Sequence, residues 1–134
     1  MENKERIKQV YELEYDESGF NSGLVEWYNS MIDKSIEELE VEDVARMIRQ
    51  NILPKLAIDK AIEIFGNDPR AGELYEGEVL EVLCLSIERK IIDSEQFERL
   101  ATLVVTLDEK IKSIEFEDEE EFRQNLGYIL EHHD

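Results

Sequence analysis

Cysteine occurs once in the 134-residue sequence, as Cys84, so neither an intrachain disulfide nor a cysteine-based zinc site can form. The surrounding Val79-Leu80-Glu81-Val82-Leu83-Cys84-Leu85 is an apolar helical stretch, where a thiol behaves as a small hydrophobe and is expected to be buried and inert. Histidine is confined to His132 and His133 beside Asp134. Adjacent side chains diverge on a helix, so this pair reads as a solvated tail rather than a metal site. A carboxylate di-metal bundle needs Glu-x-x-His on two helices, whereas the residues three before these histidines are Ile129 and Leu130. A Gly-rich phosphate loop, a G-x-S-x-G elbow and an H-E-x-x-H helix are all missing, which excludes hydrolases with a histidine base. A carboxylate pair could still do acid–base work, but among 34 acids such a pair means little without a cleft. The expectation is no catalytic residue, no metal and no cofactor.

Long hydrophobic runs are also lacking. The Leu103 to Leu107 patch is broken at once by Asp108, far short of the roughly 18 residues that span a bilayer. The stretch from Met1 to Val10 carries Glu2, Lys4, Glu5, Arg6 and Lys8 and has no apolar centre like that of a signal peptide, so a soluble, cytoplasmic protein is expected. Positive charge is scarce: 15 bases face 34 acids, a net charge of −19. That balance sets the chain against nucleic acid and anionic membrane, where each contact would begin with repulsion, and suits a basic protein partner. A solvated acidic surface with no partner role is the plainer alternative.

What is present is a pattern of helices. With 42% apolar residues the chain can bury a real core at this length, and a single all-α domain over 1–134, with no sheet beyond an incidental bridge, is expected. Leu24, Trp27, Tyr28 and Met31 make one amphipathic stripe, and Val41, Val44, Ala45, Ile48 and Ile52 a second. Pro54 suits the first turn of a third helix carrying Ala57, Ile58, Ala61, Ile62 and Phe65, which Gly66-Asn67-Asp68-Pro69 should stop through a left-handed glycine. Gly77 to Glu88 is apolar nearly all round and should be central. Asp93 with Gln96 spells a capping box for a fifth helix running to about Ile114, and Asp118 with Glu121 one for a sixth that buries Phe122, Leu126, Ile129 and Leu130. A short N-terminal helix from about Asn3 to Leu13 makes a possible seventh. The core should be built on Leu24, Trp27, Val44, Ile48, Ile62, Phe65, Leu80, Leu83, Val104 and Leu107.

Three regions combine aromatic rings with acids in polar settings, the composition that suits a basic partner. Tyr15 and Phe20 flank a turn that contains Asp16 and Glu17. Glu73, Tyr75, Glu76 and Glu78 lie in the connection to the fourth helix. Phe116 stands among Glu117, Asp118, Glu119 and Glu120, a run with more negative charge than a helix start needs. These residues are the candidate contact set, whereas Trp27 and Tyr28 read as core.

Glu12-Leu13-Glu14, the Asp16-Glu17 turn, Leu24-Val25, Lys34-Ser35-Ile36-Glu37-Glu38-Leu39, Val41 through Ile52, Leu56-Ala57, Ala61-Ile62 and Tyr75-Glu76-Gly77-Glu78-Val79-Leu80 follow one another in a recognisable order. Over about residues 12–87 this resembles the helical immunity proteins of contact-dependent growth inhibition (CDI) systems. Val41 to Ile52 and Tyr75 to Leu80 are its most specific parts. Glu40 replaces a frequent capping threonine, Glu76 replaces a frequent proline, and nothing after Ile92 contributes. The resemblance implies a protein that binds and neutralises the C-terminal toxin domain of a delivered protein, many such toxins being nucleases with basic clefts. A free monomer that forms a one-to-one complex with its cognate toxin is then expected. The resemblance supplies no contact residues. A small acidic adaptor or a mimic of nucleic acid would use the same negative surface, and a small-molecule enzyme would instead show an apolar pocket with convergent carboxylates.

Overall fold

The computed structural model describes residues 5–16, 23–74, 77–106 and 119–131, and in the last segment the side chains of 124–129 and 131. Every regular element among the described residues is helical, and the only β pairing is an isolated antiparallel bridge between Arg6 and Ser35. The chain divides into two compact units, Met1–Glu40 and Val41–Asp134.

In the first unit, α1 (Ile7–Val10) is a single turn, shorter than its sequence stripe suggests. Glu12 ends it by turning left-handed at φ 54°, which lets the Leu13 N–H reach back to the Lys8 carbonyl at 2.8 Å. This six-to-one closure satisfies an end carbonyl that the helix itself cannot. α2 (Gly23–Ile32) follows, then a 3₁₀ turn (Ile36–Glu38) closed by the Glu38 carboxylate accepting the Ser35 N–H at 3.0 Å. The Ile7 N–H bonds the Lys34 carbonyl at 2.8 Å, so the N-terminal segment covers the far end of α2. Burial follows that placement. Ile7, Met31 and Ile32 are fully buried, whereas Trp27 is half-buried and Leu24, on the uncovered first turn, is exposed. Leu24 is thus corrected from core to surface.

The second unit contains α3 (Val41–Gln50), α4 (Pro54–Asn67), α5 (Glu78–Glu88), α6 (Ser94–Thr106) and α7 (Glu119–Glu131). α3, α4 and α5 pack against one another in all three pairs; α6 lies on α4, and α7 on α5 and α6. The stripes explain why. Val44 and Ile48 of α3, Ile62 and Phe65 of α4, Leu80 and Leu83 of α5, and Val104 of α6 are all buried as expected. Each such large side chain contributes about 1.5–3 kcal/mol through the apolar surface it removes from water. α5, apolar nearly all round, packs against α3, α4 and α7, and α4 against α3, α5 and α6, so these two helices share the centre of the unit. On α7, Ile129 is buried and Leu126 half-buried; Leu107, Ile111, Ile114, Asp118, Glu121 and the Phe122 and Leu130 side chains lie outside the description.

The helix ends are only partly those the sequence suggests. Pro54 does open α4. Gly66, however, stays helical and lies beside Leu103 of α6, where an added Cβ would stand 3.4 Å from the leucine methyl, an ordinary van der Waals distance; it does not act as a left-handed stop. α4 ends because Asp68 precedes Pro69, whose ring disfavours helical backbone in the residue before it, and Asp68 is extended at φ −146°. Asn51 and Lys90 take the left-handed role instead, at φ 56° and 58°, with Ile52 and Ile91 bonding back to Met47 and Ser86. The Asp93–Gln96 box forms: the Gln96 N–H donates to Asp93 Oδ1 at 2.7 Å and the Asp93 N–H to Gln96 Oε1 at 3.2 Å. Gln96 is also buried, and its Nε2 donates to the Lys55 carbonyl and to Asp59 Oδ1, which joins the start of α6 to α4.

Candidate interaction surface

Residues 11–16 leave α1 without entering α2, and both ends of this short stretch are fastened. Leu13 is held by the Lys8 carbonyl, while the Asp16 N–H donates to Asn29 Oδ1 at 2.7 Å and the Asn29 amide returns a bond to the Asp16 carbonyl at 3.3 Å. Along this stretch Tyr11, Glu12, Glu14, Tyr15 and Asp16 are exposed, so two aromatic side chains and three carboxylates lie close in sequence at the surface. Tyr15 is fixed in place rather than left to rotate. Its hydroxyl donates to Asp33 Oδ1 at 2.7 Å and accepts from Lys8 Nζ at 2.8 Å, and the same ammonium lies 2.9 Å from Asp33 and 4.5 Å from the ring centroid. Arg6 adds a second cation to Asp33 at 3.6 Å.

These contacts shift both charged partners toward their ionised forms. The Lys8 ammonium, bonded to Tyr15 and then to Asp33, is held above its ordinary pKa, and the Asp33 carboxyl, bonded to Lys8 and Tyr15, below its own. The residue remains 43% exposed although Lys8 lies over one face of its ring, so an already oriented aromatic side chain is presented to solvent at reduced ordering cost.

A different arrangement surrounds the connection from α4 to α5. Gly77, left-handed at φ 84°, starts α5, and its N–H bonds the Arg70 carbonyl. Glu78 in the first turn is only 1% exposed. Its Oε1 accepts the Glu73 and Leu74 N–H groups at 2.8 and 3.1 Å, and its Oε2 takes the Arg49 guanidinium of α3 at 2.8 Å. Burial alone would raise the Glu78 pKa, but the bonds from Leu74, Glu73 and Arg49 outweigh it and hold the carboxyl below the glutamate range. The two side chains of this latch, Arg49 and Glu78, come from the two segments in which the sequence resemblance is most specific, while Glu73 and Leu74 lie just before the second. Glu78 is therefore corrected from an exposed contact residue to an internal one.

The remaining candidates fall as follows. Tyr15, Asp16 and Glu73 are exposed. Glu17, Phe20, Tyr75, Glu76, Phe116, Glu117 and Asp118 lie outside the described residues, and Glu119 and Glu120 are seen only as the backbone opening α7. Sequence reasoning missed Tyr11, Lys8 and Asp33, which no motif joins, and Leu74, whose 75% exposure nothing in its neighbours announces. Cys84 is buried, its thiol facing the Asn125 carbonyl at 3.4 Å, and burial with the nearby Glu81 pushes its pKa up to about 12. A thiol so far from ionisation is a poor nucleophile.

Among the described residues no three His, Cys, Asp or Glu side chains are grouped to hold a metal ion, and no helix is long and apolar enough to cross a membrane. Against known proteins, no curated sequence matches the chain. A family model for CDI immunity proteins does match, over residues 9–101, which takes in the exposed stretch, the latch and most of α6 beyond the point where the sequence resemblance stops. A match over well more than half of the 134 residues makes the chain a member of the CDI immunity proteins, a family that acts by neutralising a toxin protein.

Proposed function

We propose that this protein binds the basic catalytic domain of its cognate toxin one-to-one in the cytoplasm and blocks it without any catalysis of its own, the toxin being a nuclease. Family membership supports the toxin partner. The observation that supports the finer reading is the anchored Tyr15, with exposed Tyr11, Glu12, Glu14 and Asp16 around it, on a chain of net charge −19. A nuclease cleft must attract phosphates, so it is basic, and an acidic protein competes for it by the same electrostatics. Tyrosine supplies large contact area with few rotatable bonds, which makes ordered tyrosines effective interface anchors.

Titrating the toxin domain with this protein and following nucleic-acid cleavage tests the reading. Activity should fall linearly to zero at one equivalent. Undiminished cleavage at a large excess of folded protein would refute it. Within such a complex, Tyr15→Ala should chiefly raise the dissociation rate, while Glu14→Lys should chiefly slow association.

A further inference from the structure

Leu74 is the most exposed large apolar side chain among the described residues, yet its backbone N–H is tied to a buried carboxylate. Both its own N–H and that of Glu73 end on the buried Glu78 carboxylate, which Arg49 in turn secures. An apolar side chain on a slack loop can fold back to hide itself. Here the latch keeps it in water. Beside it, α3 and the 73–74 segment enclose an open cleft of about 250 Å³, whose lining sets the apolar Ala45 and Leu74 among charged side chains that include Arg46, Arg49, Glu73 and Glu78. The methylene stem of an arginine can pack against an apolar group while its charged end stays hydrated, so a mostly polar cleft of this kind can still seat one apolar side chain beside Leu74.

The charges at the rim are not balanced. Arg49 is matched by Glu78 at 2.8 Å, and Arg46 by Glu42 at 3.7 Å. The Glu73 carboxylate has no ion pair among the described residues and stands next to Leu74. We infer that Leu74 and this cleft form a second docking point for the toxin, which takes a segment presenting an apolar side chain next to a lysine or arginine. The apolar group packs on Leu74 in the cleft and the cation meets Glu73. This rests on the proposed function and deepens it: long-range attraction brings a basic domain to the surface, and a preorganised apolar anchor sets how long it stays.

Leu74→Ala and Leu74→Glu distinguish this contact from the rest. Because the side chain is 75% exposed, neither should change the melting temperature of the free protein by more than a degree or so. Binding to the toxin domain, measured by surface plasmon resonance, should weaken by about tenfold or more, almost entirely through faster dissociation, with Leu74→Glu the worse of the two. Glu73→Lys should slow association and leave dissociation less affected. If wild-type protein binds tightly and both Leu74 variants bind equally well, the docking point is refuted while the toxin-binding reading stands. If wild-type protein does not bind the toxin domain at all, the reading itself fails and the docking point with it.

Discussion

Glu78 and Asp33 do similar chemistry in opposite surroundings. Each carboxylate gathers a cation and further donors: Arg49 and two backbone N–H groups for Glu78, Lys8, Arg6 and the Tyr15 hydroxyl for Asp33. Glu78 is buried in the second unit, whereas Asp33 in the first is 37% exposed. Water can replace any donor that Asp33 loses, but it cannot easily reach the donors that Glu78 would leave behind. The same bonds therefore fix the fold in one place and only orient a surface in the other. A fold-fixing latch is what a family can share while its toxins differ, and an oriented surface is what can vary with each toxin.

The largest effect should come from removing the buried member. Glu78→Ala leaves two backbone N–H groups and a partly buried guanidinium without their acceptor, and should cost about 3 kcal/mol in urea denaturation. Amide exchange at Glu73 and Leu74 should quicken in the same variant. A loss no larger than that of the matching Asp33 change would erase the contrast between the two sites.

Acid should find the same difference. The folded pKa of Glu78 lies below the ordinary glutamate value of 4.5, so its contribution is present in full above that value and is lost as the pH falls through the folded one. Stability measured across this range should drop, and Glu78→Gln should flatten the drop while lowering stability at neutral pH. An acid limb unchanged by that substitution would show that other carboxylates control it.

A smaller and opposite effect is expected at Lys90, an exposed residue held left-handed at φ 58° beyond the end of α5. Glycine has no Cβ to strain there, so Lys90→Gly should stabilise the protein by about 1 kcal/mol. Smallest of all should be Asp33→Ala. It should move the melting temperature little, and that little should fade with added salt, while Tyr15 loses the acceptor that orients it and toxin binding weakens.

Where a structural rule acts within a few residues, the sequence was readable. The α-helical stripes gave Val44, Ile48, Ile62, Phe65, Leu80, Leu83 and Val104 as core, and the Asp93–Gln96 spacing gave a real cap. Errors arose where a local pattern met a tertiary one. Leu24 continues a good stripe, but the covering segment reaches only the other end of α2; Gly66 looks like a stop, but it stays helical against Leu103 and the helix ends at Asp68 before Pro69. The charged contacts were least legible, because Arg49 and Glu78 lie 29 residues apart and an acid-rich chain offers each cation many partners. Glu78 was visible as a glutamate at a helix start, an ordinary site for one, and only folding shows its carboxylate turned inward.

The most direct test of the account is the rate at which this protein associates with its toxin domain, measured by stopped-flow at low and at high ionic strength. Steering by the −19 charge predicts association near 10⁸ M⁻¹s⁻¹ or about that order at low salt, falling steeply toward roughly 10⁵ to 10⁶ M⁻¹s⁻¹ as salt screens it. An association rate unchanged across that range would contradict capture of a basic toxin by an acidic surface.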